Sequence, residues 1–159
     1  MHEGQDFLRA QVSNCVMQHK TLLESLEDHE KQAEDPQFRA LCTRHLPRMR
    51  EHQTMLEAYR DTLGEPAGQG LKGALGFVLG KAKDAADALR QDDFLRLVED
   101  VVMIRQSQDT FATFAAAGER INEPRLAELG RTGAAAHDEM QRDFNALVQE
   151  HFVRQASSR

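Results

Sequence analysis

Apolar residues return every three or four positions along most of this chain, and no stretch alternates convincingly as a strand does. The first stripe, over residues 5–33, holds Leu8, Val12, Cys15/Val16, His19, Leu22/Leu23, Leu26, His29 and Ala33. Asp35-Pro36 reads as a helix N-cap followed by proline at the first helical position. A second helix over 36–63 carries Phe38, Leu41/Cys42, His45, Met49, His52, Leu56, Tyr59 and Leu63, and Gly64 ends it. Pro47 deletes a hydrogen bond to the Thr43 carbonyl and is expected to kink this helix. The third helix, over 92–119, shows Phe94, Leu97/Val98, Val101, Ile104/Arg105, Gln108, Phe111/Ala112 and Ala115. Pro124 opens a fourth over 124–153, with Leu126, Leu129, Gly133, Ala136/His137, Met140, Phe144, Leu147 and His151. The tail RQASSR is expected to fray.

Short connections near residues 34 and 121 turn these four helices into two antiparallel hairpins, and residues 64–91 form a long link between them. The pattern predicts an all-α, ferritin-like four-helix bundle, a single domain over 1–159 with a partly helical crossover. Leu71, Leu75, Val78, Ala82, Ala85 and Leu89 give the crossover an amphipathic stripe, thinned by Gly70, Gly73, Gly76 and Gly80. One reading lays it against the bundle. Another makes residues 70–89 a membrane-surface or partner-binding helix, favoured by Lys72, Lys81 and Lys83 and opposed by Asp84 and Asp87.

Composition narrows the classes. The chain has 159 residues, enough for a real core, with 40% hydrophobic and 29% charged residues. A net charge of −6 argues against duplex nucleic acid as a partner. No apolar run is long enough to span a membrane, and the start MHEGQDFLRAQ lacks a secretory pattern, so the expected home is the cytoplasm. Cys15 and Cys42 fall about 12 residues out of level across the first hairpin, or about 18 Å, too far for a disulfide, which needs Cα atoms within about 7 Å. Both are expected to be free thiols, in keeping with a reducing compartment.

The same arithmetic places His19 level with Met49 and His52, and His137 level with Arg105/Gln106. If the hairpins pack as a pseudo-symmetric pair, these residues share one mid-bundle layer. A ferritin-like di-iron protein puts there a Glu from each of two helices and Glu-x-x-His from each of the others. Here the corresponding positions read His19, Met49-x-x-His52, Arg105/Gln106 and Ala134-x-x-His137. The histidines are present and the carboxylates are not. Glu24, Glu51, Asp100, Asp109 and Glu139 lie off the stripes, and only a shift of register would bring Glu139 in. His19, His52 and His137 are candidate metal ligands, or core histidines held by hydrogen bonds. His45 is too far along the axis to share an ion with His52, and His29 and His151 are expected to border the core. The methionines sit at no diagnostic spacing for a haem or copper site and read as core filler. No phosphate-binding loop, zinc-ribbon spacing or Ser/His/Asp arrangement is present.

From about Val16 to Gly64 the chain resembles the bacterial ferritin-like YciE/YciF-like family, a domain of unknown function. The resemblance is carried by the Asp35-Pro36 break and FRALCTRHLPRMREHQTMLEAYRDTLG, with His45-Leu46, His52 and Leu63-Gly64 at the family's positions. It implies a ferritin-like bundle, often dimeric and stress-associated, sometimes labelled metal-binding, with no established reaction. The family's first-helix acid falls at His19, and its third-helix Glu-His near Arg105-Gln106.

The expectation is a non-enzymatic, stress-associated or accessory bundle, a homodimer, with the di-iron carboxylates lost and no cofactor. The alternative is a metal-binding or redox protein using His19, His52 and His137, whose imidazoles suit zinc, nickel or copper better than iron.

Overall fold

A computed structural model describes residues 2–64 and 92–158. Those residues are all-helical: α1 (His2–Gln32), α2 (Pro36–Thr62), α3 (Asp93–Arg120) and α4 (Pro124–Ser157). The crossover stripe and the membrane-surface or partner-binding reading of 70–89 lie outside the described residues.

The helix limits follow from local chemistry. The Asp35 carboxylate accepts from the Gln37 amide at 2.8 Å, and Pro36, lacking an N–H, stands where none is needed. Asp92 caps α3 in the same way through the Phe94 amide. Gly64, with φ of 80°, takes the left-handed turn after α2, and Asn122, with φ of 60°, does so between α3 and α4. Pro47 lies inside α2 without ending it.

Two boundaries differ from the sequence reading: α1 begins at His2 rather than residue 5, and α4 runs past residue 153. The last turns of α4 do not fray but stay helical to Ser157. Arg154 donates to Asp35 at 3.0 Å, and the Ser158 hydroxyl donates to the Arg154 carbonyl at 2.7 Å, so the final turn is tied to the start of α2.

α1 packs chiefly on α2 and α3 chiefly on α4, with lesser contacts between α1 and α3 and between α2 and α4. Thr43 meets Glu30, Arg50 meets Glu27 and Gln53 meets His19, so numbers rise on α2 as they fall on α1. Arg105 with Asn145, Ser107 with His137 and Glu119 with Arg131 repeat the relation between α3 and α4. At one end the Asp35 amide donates to Asp93 at 2.7 Å, so α2 and α3 begin together. At the other, Arg125 lies over the Tyr59 ring at 5.7 Å, and Leu63 and Leu8 pack against the apolar block that holds Leu126.

The buried interior falls into two apolar blocks. Leu22, Leu26, Phe38, Leu46, Met49, Ile104, Met140 and Phe144 belong to one. Val12, Val16, Leu56, Phe111, Phe114, Leu126 and Leu129 belong to the other. In each helix the chain passes from one block to the other through a polar side chain: His19, His52, Ser107 and His137.

Cys15 and Cys42 are free and buried, as expected. Burial pushes the Cys15 thiol up to about 12, and burial with Asp100 and Glu30 nearby pushes Cys42 up as well. A disulfide reagent will therefore react with the native protein far more slowly than with the guanidine-unfolded chain, by at least about 100-fold, since attack needs an exposed thiolate. Rapid labelling of both thiols under native conditions would contradict this burial.

Candidate functional site: a neutral histidine layer

The three candidate ligands do come together. His19 and His52 have ring centroids 6.3 Å apart, His19 and His137 5.6 Å, and His52 and His137 6.2 Å with the planes nearly parallel at 12°. All three are buried, at 1%, 2% and 0% exposure.

The third-helix position is a correction. Arg105 and Gln106 are exposed, and Ser107 enters the layer instead. The turn between α3 and α4 pairs His137 with a residue one to two places further along α3 than a turn centred on 121 would give. The small residues before His137, Gly133 to Ala136, leave no open space beside it. Phe111, one turn beyond Ser107, touches all three rings, with centroids 5.8 Å from His19, 6.1 Å from His52 and 4.9 Å from His137. Gly133 makes this possible: a Cβ there would stand 2.5 Å from Phe111 Cγ.

Hydrogen bonds fix two of the three tautomers. His137 Nδ1–H donates to the Gly133 carbonyl at 2.8 Å, so its Nε2 accepts the Ser107 hydroxyl proton at 2.8 Å. Gln53 donates its amide N–H groups to the Val16 carbonyl and to Glu57, at 3.3 and 3.1 Å. Its Oε1 therefore faces His19, whose Nδ1–H donates to it at 2.8 Å. His19 Nε2 is left as a lone pair, buried and with no hydrogen-bond partner among the described residues. His52 Nδ1 is likewise buried without one.

The layer is uncharged. Burial lowers His19 to about 4, outweighing the support of Gln53, and His52 adds to the lowering. Burial lowers His137 to about 3, reinforced by His19 and His52 against the Gly133 hydrogen bond. Burial, with Arg48 one turn away, lowers His52 as well.

His29, His45 and His151 are built differently. His29 Nδ1 donates to Asp100 at 2.6 Å, His45 Nε2 to Asp143 at 2.8 Å and His151 Nε2 to Asp35 at 2.6 Å. Asp100 is a second correction. It does not sit off the stripe but is fully buried, also accepting from the Ser25 hydroxyl at 2.8 Å. Its place between Leu97 and Ile104, beside Val101, was the available signal. Glu139 stays outside, paired with Arg44 and Arg48, so no shift of register brings it to the layer.

Among the described residues, no group of three or more His, Cys, Asp or Glu side chains stands ready to hold a metal ion. Both nitrogens of His137 are engaged in hydrogen bonds. No helix among the described residues is long and apolar enough to cross a membrane. Compared with protein-family models, curated proteins and solved structures, the chain matches none.

Proposed function

We propose that the chain is a ferritin-like bundle, two antiparallel hairpins joined by the 64–91 crossover, with a stress-associated or accessory role rather than a catalytic one. The observation behind it is the chemistry of the central layer: three neutral imidazoles, a hydroxyl and a phenyl ring, with no carboxylate among them. A pair of iron ions needs anionic oxygen ligands to offset its charge in a low-dielectric interior. The common starting end of α2 and α3 favours the ferritin-like connection, because the end of α2 and the start of α3 then lie at opposite ends of the bundle, which a short turn does not join. Ferrous iron added in air to the tag-free protein should oxidise no faster than in buffer. Protein-dependent oxidation that disappears in His52→Ala would overturn the accessory role.

A second reading, a metal-binding protein using His19, His52 and His137, is favoured by the two buried ring nitrogens that have no partner. Metal analysis of protein purified without chelator or affinity tag separates the two readings. Stoichiometric metal lost in His52→Ala supports the second, and its absence with a melting temperature indifferent to EDTA supports the first.

A further inference from the structure

A buried polar atom left unpaired costs about 1–3 kcal/mol, and native proteins keep few of them. The central layer has two such atoms on facing helices, His19 Nε2 and His52 Nδ1. The first is a lone pair, because Gln53 holds the proton on the other nitrogen. What binds there must offer a proton or positive charge.

Ring separation is compatible with a two-coordinate ion. Imidazoles on opposite sides of one ion, with metal–nitrogen bonds of about 2 Å, place their centroids about 6 Å apart. The His19–His52 separation is 6.3 Å. Three imidazoles around one ion would need centroids no more than about 5.5 Å apart. His137 would also have to leave Ser107. With both His137 nitrogens engaged, the His19–His52 pair is the donor set left over, and two donors suit a two-coordinate ion.

Charge and softness narrow it further. With no carboxylate in the layer, a divalent ion would be uncompensated in a low-dielectric site, and the cost of burying charge rises with its square. Zinc seeks four ligands. A monovalent, low-coordinate ion with neutral donors fits these limits. Met49 and Met140, both buried, lie three residues from His52 and His137 in the apolar block on one side of the layer. A groove of about 670 Å³ between α1 and α3 is lined in part by Cys15, one turn from His19.

We propose that this layer is a cuprous-ion site whose ligand pair is His19 Nε2 and His52 Nδ1, with His137 held beside it by Ser107 and Gly133. The proposal rests on the metal-binding reading and narrows it to one ion and two donors. Gln53 is a positioning residue, fixing the ring that must present Nε2.

The test is an anaerobic titration of the tag-free full-length protein with Cu(I) against bicinchoninate, with Zn(II) titrated in parallel. The expected result is stoichiometric copper that the competitor cannot remove. His19→Ala and His52→Ala should each weaken it by at least about 100-fold, and Gln53→Leu by about 10–100-fold. His137→Gln should change it by less than about tenfold. His52→Met, which restores a soft donor, guards against a variant that merely misfolds and should retain copper within about tenfold. X-ray absorption should give two nitrogen neighbours. Zinc bound in place of Cu(I) would overturn the inference and leave the metal-binding reading standing. Binding of neither ion would overturn both. Equal losses in His52→Ala and His137→Gln would overturn the assigned pair.

Discussion

Gly130→Ala will lower the melting temperature by roughly 2–8 °C, although alanine is the better helix former by about 1 kcal/mol. The reason is the α3–α4 contact. A Cβ on Gly130 would stand 2.6 Å from the Phe111 carbonyl oxygen and 2.8 Å from Ala115 Cα, both backbone atoms of α3. Backbone cannot swing aside as a side chain can, so the helices must part by much of an ångström. Gly118 makes the reciprocal approach, its Cβ position lying 2.8 Å from Ala127 Cα. Overpacking of this kind costs about 1–3 kcal/mol, and for a chain of this size each kcal/mol shifts melting by about 2–4 °C. Gly4→Ala is the control: nothing lies within 4 Å of its Cβ position, so alanine there should be neutral or slightly stabilising. Thermal melts followed by circular dichroism decide it, and a Gly130→Ala protein as stable as the parent would mean the helices are not so close. Because Phe111 touches all three layer histidines, moving its backbone should also loosen the layer and raise the pKa of His19 towards 6.5, which nuclear magnetic resonance can follow.

The contrast between His137 and Ser107 shows how far the sequence could be read. Helical periodicity and the position of each turn fix the level of a residue to within about one turn, and that was enough to group His19, His52 and His137. They do not fix rotation about the helix axis. One or two residues of shift turned Arg105 and Gln106 outwards and Ser107 inwards. Gln53 was hidden for a related reason, since it adjoins His52 and faces α1 rather than the centre of the layer. Asp100 was misread because an acid is usually solvated, whereas here Ser25 and His29, from another helix and over 70 positions earlier in the chain, share its charge. The α4 end was illegible because its tie, Arg154 to Asp35, joins residues 119 positions apart. The caps at Asp35, Pro36 and Gly64 were legible since each acts within a few residues. The polar layer between two apolar blocks is thus visible in one dimension as a histidine on three stripes, while its hydrogen bonding is a property of neighbouring helices.

Acid should unfold this protein in a window where few carboxylates titrate. In the unfolded chain the histidines take up protons near 6.5, whereas His19 and His137 in the folded protein resist until about 4 and about 3. A depressed folded pKa means that their contribution is fully present above 6.5 and is lost as pH falls towards the folded values, because only the unfolded state gains protons there. Each unmatched proton changes stability by about 1.4 kcal/mol per pH unit, so these two alone should remove about 5 kcal/mol between about pH 7 and about pH 4.5. That is a large share of the 5–15 kcal/mol typical of a domain. His52, also lowered, adds in the same direction. Asp35 does not blur the window. Its carboxyl, although burial alone would raise it, is held below 3.8 by the Gln37 amide, Arg154 and His151, so its contribution is lost only at still lower pH. Denaturant titrations at intervals of pH should show the unfolding free energy falling with a slope approaching two protons between about pH 6 and about pH 4.5. A His19→Gln/His137→Gln double variant should flatten that slope to what the remaining groups supply. A slope unchanged in the double variant would mean that these rings are not the neutral, water-excluded groups the layer requires.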